Sequence, residues 1–476
     1  METTQPVLNI FERLNQWIKE SIMIKLISIG FLILILLIPS AAIKDLIDER
    51  QQRSEEVIRE VTDKWSGSQT LTGPVLVIPY IKQEIIDRGK DGTEIREHIE
   101  KAFFLPEDLS IAGDVKPETR HRGIFDVVVY ESGLQIKSEF QQPDFKALSI
   151  PEETVQWKDA YMIFGITDLR GISDNPTFLV GGKPFNTEPS NNLGIASRNY
   201  EDEAAVLYSE NVKTNSPYSS NGIMTKLNWE NKDSFKKEVS ITLNLKGSKR
   251  LDFVPAGKTT TVKLSSTWNN PSFDGEFLPD PSEITEAGFT ASWKVLHYNR
   301  PFSQQWKGNE QTLSGSEFGM KLLPPVDQYQ KSSRTSKYAA LIILLTFVSL
   351  FLVEITQKIR IHPFQYILIG AALIIYYSLL LSFSEHLGYD ISYIISSLAT
   401  VILIGLYSTT FLRTRKLSFL FSTLLVIFYA FIFVIILQQD YSLLLGSIGL
   451  FLIIGLVMYF SRKINWYKEA EPSQVN

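Results

Sequence analysis

The sharpest chemical pairing in the chain is Glu385-His386, a carboxylate beside an imidazole at the end of a long apolar run. Near the edge of hydrocarbon such a pair could hold a proton, a cation or the basic group of a partner. Its plainer reading is that both residues mark the boundary with water. Glu354 lies one turn before another such boundary, where Lys358 at i+4 or Arg413 on a neighbouring helix would pair with it in a structural role. Asp168 and Arg170 sit in Asp168-Leu169-Arg170-Gly171, directly after an expected strand. A turn there lets the Asp bond its own backbone and asks for positive φ at Gly171, so an ion pair holding the turn is the simpler role for both. His362 precedes Pro363, the arrangement of a helix start with proline at its first position.

No HExxH, GxSxG or GxxxxGK[ST] pattern is present, and Gly181-Gly182-Lys183 is followed by Pro184, which makes a loop and not a phosphate cradle. His121 with Glu118 and Asp126 matches no metal-ligand spacing and reads as a solvated strand edge. With no cysteine in the chain, disulfides, thiolate metal sites and thiol catalysis are excluded. A net charge of −5 over 476 residues, without a block of Lys and Arg, argues against a nucleic-acid partner. No catalytic residue, cofactor or metal ligand is therefore assigned, and a non-enzymatic protein is expected.

The elements that position these residues are mostly apolar. Five runs, Tyr338–Val353, Phe364–Phe383, Ile391–Leu412, Leu417–Leu437 and Tyr441–Phe460, follow one another closely, most near the ~20 residues that cross ~30 Å of hydrocarbon. Charges fall only at or beyond their ends. An earlier run, 22–43, reads as a first transmembrane helix, an uncleaved signal anchor rather than a cleaved signal. Before it, residues 1–21 place Leu8, Phe11, Leu14, Trp17 and Ile18 at helical spacing, a short amphipathic segment on the inner membrane face.

Basic residues cluster at Lys358/Arg360, Arg413/Arg415/Lys416 and Arg462/Lys463/Lys468, whereas Ser384–Asp390 and Gln438–Asp440 contain none. Ser384–Asp390 reads as a short outer loop. By the positive-inside rule both termini are cytoplasmic, with six crossings and the segment 44–337 outside. Lys331, Arg334 and Lys337 run against that pattern, but long domains translocate largely regardless of charge. The outer segment begins with a helical stalk, 44–65, rich in i, i+4 pairs such as Glu60/Lys64. From Leu71 the period becomes that of strands. Val75–Tyr80, Phe125–Tyr130, Tyr161–Ile166, Val239–Leu245 and Thr260–Ser266 are β-branched or aromatic, with strict alternation in Val239, Ile241, Leu243 and Leu245. Lys90-Asp91-Gly92 reads as a hairpin turn, Asn186–Asn231 as a long loop between two β-rich halves, and Pro324-Pro325 as a stop. An antiparallel β-sandwich pair or one elongated β domain is expected. The fold class is then six transmembrane helices, five of them a bundle at 338–460, plus a large mainly-β periplasmic domain and a cytoplasmic tail, 461–476.

Small residues stripe two of the runs, at Ser392, Ser396, Ser397, Thr400 and Gly405 and at Ser442, Gly446 and Gly449, as close helix packing requires. A transport pathway would use such faces too. No charged residue falls in mid-bilayer, however, and no paired Gly/Pro breaks occur.

Several longer strings recur in one order: Leu71-Thr72-Gly73-Pro74, Leu105-Pro106, Asp168-Leu169-Arg170-Gly171-Ile172, Pro271-Ser272-Phe273, and Gly275-Glu276-Phe277-Leu278-Pro279. They continue with Asp327-Gln328-Tyr329-Gln330, Lys337-Tyr338-Ala339, His362-Pro363-Phe364-Gln365-Tyr366, Ser384-Glu385-His386 and Ile464-Asn465-Trp466-Tyr467. Over almost its full length the chain resembles the CreD family of bacterial inner-membrane proteins, also called cell envelope integrity proteins. It departs from that pattern before Ile22 and in Asn186–Asn231. The resemblance implies one N-terminal crossing, a large periplasmic domain, a C-terminal helical cluster and a link to envelope stress and maintenance. It implies no catalytic residues. The expected partners are the lipid bilayer and an envelope protein or polymer; the competing reading is a transporter or lipid-handling protein using the bundle. An enzyme acting on an envelope polymer through Asp168, Arg170 or Glu385 is the weakest of the three.

Overall fold

The computed structural model describes residues 22–87, 93–198, 218–308, 311–322, 328–438 and 441–462. The expected amphipathic segment 1–21, the turn Lys90-Asp91-Gly92, Pro324-Pro325 and nearly all of the tail lie outside the described residues. Two compact units divide the chain, Met1–Glu55 with Val326–Asn476, and Glu56–Pro325.

The first unit is helical. Helix α1, Ile22–Trp65, is 44 residues long and runs through Pro39, so the expected span and stalk are one continuous helix. After it come α2 (Gln328–Lys337), α3 (Ala339–Thr356), α4 (Pro363–Leu387), α5 (Tyr389–Ser408), α6 (Arg415–Leu437) and α7 (Ser442–Ser461). Among the described residues, five of these helices (α1 and α3 to α6) are long and apolar enough to cross a membrane, and α7 is a shorter apolar helix over Leu443–Tyr459. Their apolar side chains line both the inside and the outside. Phe347, Leu350, Leu373 and Leu425 are fully buried, whereas Leu443 is 85% and Phe451 77% exposed. A water-soluble helix keeps its apolar stripe inward, so apolar exteriors on every long helix call for lipid as the outer solvent.

Two boundaries differ from expectation. Glu385 and His386 are not in a loop: α4 continues through Leu387, and Gly388 alone, at φ 77°, turns the chain into α5. That left-handed conformation is open to glycine, which is why a single residue suffices. Helix α5 ends at Ser408 and not at Leu412, because Thr409 to Leu412 close tight turns on Leu406, Tyr407 and Ser408.

The second unit is mainly β. A nine-stranded sheet follows the path Pro271–Gly275, Phe318–Leu322, Arg250–Phe253, Gln69–Asp87, Tyr161–Ile166, Gly222–Lys226, Glu188–Ser190, with Thr93–Phe104 and Gln305–Lys307 branching from it. An eight-stranded sheet runs Ser282–Thr285, Gly288–Leu296, Thr259–Ser266, Asp108–Arg122, Phe125–Glu139, Glu238–Ser248, Thr177–Val180, Lys183–Phe185. The two share one apolar core in which Tyr130, Phe164, Phe253, Trp293 and Phe318 are fully buried. Val239, Ile241, Leu243 and Leu245 point into it alternately, as their spacing predicts. The sheets are mixed and not purely antiparallel. Gln69–Leu71 pairs in parallel with Leu251–Phe253, and Thr259–Ser266 with Asp108–Val115. Parallel neighbours need long crossovers, and both pairs are separated by more than a hundred residues of chain. Nor is Asn186–Asn231 all loop, since Glu188–Ser190 and Gly222–Lys226 are paired strands within it; residues 199–217 lie outside the described residues.

The last turns of α1, from Glu56 on, belong to this second unit and are tied to its strands by side chains that sequence reading assigned to a simple turn. Asp168 caps the 3-10 turn Leu169–Gly171 and accepts from Arg170 Nε at 2.9 Å and from the Gly67 backbone at 2.9 Å. Burial pushes the Asp168 carboxyl up, but Arg170 and the Gly67 N–H outweigh it and leave it below the ordinary value. The Arg170 guanidinium also donates to the Asp63 carbonyl at the helix C-terminus, where a cation meets the negative end of the dipole. The Trp65 ring lies between the Arg120 guanidinium at 4.0 Å and the Lys246 ammonium at 4.5 Å. Gly171 does not take positive φ. It is glycine because a Cβ there would sit 2.3 Å from the Lys246 carbonyl and 2.5 Å from the Gln69 amide.

Two stability predictions follow from these contacts. Gly171→Ala should destabilise the protein by about 3 kcal/mol or more, since backbone and not a flexible tip blocks the methyl; thermal unfolding of the purified chain measures it. Glu100 accepts from Lys82 at 2.6 Å and from Tyr80, and these bonds hold its carboxyl down to about 2. The folded value lies below the unfolded value of about 4.3, so this stabilisation is complete above that pH and is lost as the pH falls toward 2. Glu100→Gln should therefore cost roughly 1 kcal/mol at pH 6, allowing for solvent screening, and nothing near pH 2, read from denaturant unfolding at both pH values.

Candidate functional site

Within the helical unit, α1 is held to the other helices by two carboxylates. Glu354 on α3 is 3% exposed and accepts from Lys25 Nζ of α1 at 2.7 Å, from the Ile361 backbone at 3.2 Å and from the Tyr366 hydroxyl of α4 at 3.1 Å. Its partner is thus Lys25, and not Lys358 or Arg413. Glu385 on α4 takes a two-pronged bond from Arg50 of α1, Nε at 2.7 Å and the second guanidinium nitrogen at 2.8 Å, and accepts from the Tyr329 hydroxyl of α2 at 3.0 Å. The fork fits the carboxylate in a way a point charge could not.

The spacing of the pairs gives them meaning. Lys25 and Arg50 are 25 residues apart on one helix, about 37 Å at 1.5 Å per residue, which brackets a ~30 Å hydrocarbon layer. Between Lys25 and Lys44 the helix carries no charge. The Lys25 pair therefore falls at one edge of the apolar zone and the Arg50 pair about 9 Å past Lys44 at the other, where partial desolvation strengthens the attraction without the full cost of mid-bilayer burial.

His386 does not join Glu385. It is exposed in the last turn of α4, while Glu385 turns inward to Arg50. His362 caps α4, its Nδ1 accepting from Phe364 N at 3.2 Å while Gln365 reaches back to the His362 backbone at 3.0 Å. His121 pairs with Asp126 at 2.6 Å on an exposed strand end, and Glu118 lies 3.4 Å from Arg120. Sequence reading did not assign Lys25, Arg50, Tyr329 or Tyr366 to these sites. The signals were a lone Lys opening an apolar run and a tyrosine in a recurring string, but a pairing across 329 or 335 residues leaves no local pattern.

The β unit offers a different feature. The outer face of strands Asp108–Arg122, Phe125–Glu139, Thr259–Ser266 and Gly288–Leu296 forms an open trough of about 570 Å³. Ala112 and Gly133 keep its floor low, and Asp114, Gln135 and Lys263 supply polar groups along it.

The Lys25–Glu354 pair makes an asymmetric prediction, because Lys25 keeps 32% of its side chain in contact with solvent and Glu354 keeps 3%. Lys25→Met leaves a buried unpaired carboxylate and should cost about 3–5 kcal/mol. Glu354→Gln leaves a lysine that can reach water and should cost less, and the double variant should recover part of the Lys25→Met loss. Thermal unfolding of the three variants in one detergent compares them directly.

Comparison with known proteins agrees with this architecture. The family model described as Inner membrane protein CreD matches residues 21–467. The chain is 30% identical to Inner membrane protein CreD of Escherichia coli (strain K12) over 457 residues, 96% of each chain. A match of that extent covers both the helical and the β unit, and with the apolar exteriors of the helices it makes this an inner-membrane protein. The chain belongs to the CreD family of inner membrane proteins.

Proposed function

We propose that the protein is a non-enzymatic component of envelope maintenance, anchored by its helical unit and contacting an envelope polymer or protein through its β unit. The observation that carries this reading is the β unit itself. It spans Glu56–Pro325, has its own core and presents a broad trough of backbone and short polar side chains suited to an extended partner. The resemblance to envelope integrity proteins supports the same reading.

In the topology that goes with it, α1 and α3 to α7 make six crossings, both termini are cytoplasmic and the β unit is periplasmic. The basic clusters at Lys358/Arg360, Arg413/Arg415/Lys416 and Arg462/Lys463/Lys468 support that orientation. Arg50–Glu385 then lies at the outer edge of the membrane and Lys25–Glu354 at the inner edge. A transporter or lipid-handling role is the second reading, and the buried hydroxyls among α4, α5 and α6 favour it.

Complementation of a deletion strain under envelope stress tests the assignment. The wild type should rescue, His386→Ala should rescue equally, and Glu385→Gln should rescue poorly at equal membrane levels, because it removes the charge that Arg50 grips. A deletion strain as resistant to envelope stress as its parent would sink the proposal.

A further inference from the structure

The interior of the helical unit is unexpectedly rich in phenols. Tyr376 and Tyr377 of α4, Tyr393 of α5 and Tyr429 of α6 are each 2% exposed or less. Around Tyr376, ring centroids lie 4.8 Å away for Tyr377, 5.9 Å for Tyr393 and 4.7 Å for Tyr429. Tyr393 spends its hydroxyl on the Tyr429 carbonyl at 2.8 Å. Among the described residues the hydroxyls of Tyr377 and Tyr429 have no hydrogen-bond partner, and neither has Ser396 Oγ, one turn along α5 from Tyr393, while the Tyr376 hydroxyl reaches only that of Tyr393. Three orphaned hydroxyls on α4, α5 and α6 of an apolar bundle call for an explanation, because lipid offers them no bonds.

We propose that these hydroxyls form a hydrated site, and that its ligand is water. The choice of ligand follows from charge and size. Among the described residues, the ionisable groups that act on Tyr376, Tyr377 and Tyr429 are other tyrosines, which offer no counter-charge to a desolvated ion. Rings packed at centroid separations under 6 Å leave no room for an organic solute. Phenol and serine hydroxyls both donate and accept, which supplies the two to four bonds a buried water needs.

An approach route is also visible. Tyr389 lies one turn before Tyr393, with ring centroids 5.9 Å apart, and its hydroxyl meets Thr335 Oγ1 of α2 at 2.5 Å. Beside it Lys331 pairs with the half-exposed Asp390 at 3.2 Å. Polar side chains thus lead from the exposed end of α5 to the interior, so the helical unit is more than an apolar anchor.

Radiolytic hydroxyl-radical labelling of the full-length protein in nanodiscs, in water enriched in oxygen-18, tests this. Radicals generated from a bound water oxidise the side chains that touch it, whereas bulk radicals do not reach the interior. Tyr376, Tyr377 or Tyr429 should take up label several-fold faster than Phe347 and Phe421, which are equally buried in the same unit. Uptake no faster than in those phenylalanines would overturn the proposal. The double variant Tyr377→Phe, Tyr429→Phe keeps the rings and removes two hydroxyls. Labelling at Tyr376 should then fall several-fold, and unchanged labelling there would overturn the assignment to these groups.

Discussion

A carboxylate that is 97% removed from solvent must be compensated, and in the helical unit that requirement fixes the place of the first helix. At the end of α3 Glu354 takes its counter-charge from Lys25, which lies on a helix separated from α3 by the whole β unit in sequence. Without that pair α1 would keep the Arg50–Glu385 grip and little else. Its apolar window is 11% buried, against 56% for α3 and α4, so packing alone grips it weakly. In lipid, apolar contact between helices brings no hydrophobic gain over contact with acyl chains, and polar pairs carry more of the specificity. Two ion pairs on α1, one near each edge of the apolar zone, set both its depth and its rotation within the unit.

The same helix shows why the sequence was easy to read in one respect and opaque in another. Apolar runs near 20 residues give the spans directly, since hydrocarbon thickness imposes the length whatever the neighbours are. Strand alternation in Val239–Leu245 was legible for the same reason, because one face must be buried. What could not be read was which helix meets which. Glu354 has Lys358 four residues on, an obvious local partner, yet the chain turns at Lys358 with φ 49° and the carboxylate faces α1 instead. Local spacing proposes pairs only where the helix continues, and α3 ends at Thr356.

Glycines tell a parallel story. Gly171 and Gly388 both sit in short connections, and each was open to the reading that glycine supplies a left-handed turn. Gly388 does so, at φ 77°. Gly171 instead makes room for the Lys246 carbonyl, a contact 75 residues away in sequence and within the β unit. Turn chemistry is visible from neighbours along the chain, whereas close approach depends on a strand the local sequence does not mention.

The buried ion pair of the β unit extends the argument. Arg250 is 7% exposed and grips Asp252, fully buried beside it, at 2.8 and 3.1 Å, with Asp274 at 2.8 Å on its far side. Burial outweighs the guanidinium and pushes the Asp252 carboxyl up, while Lys321 and Arg250 hold Asp274 down at about 2. The two carboxylates around one guanidinium therefore take up protons at different pH, Asp252 before Asp274, and the pair changes charge over a wide range instead of at one pH. Gly319 lies between the two aspartates in the strand register, and a Cβ there would meet Asp252 Oδ1 at 2.8 Å. In both units a buried charge dictates which segment must come beside it, and that constraint orders contacts that apolar packing would leave interchangeable.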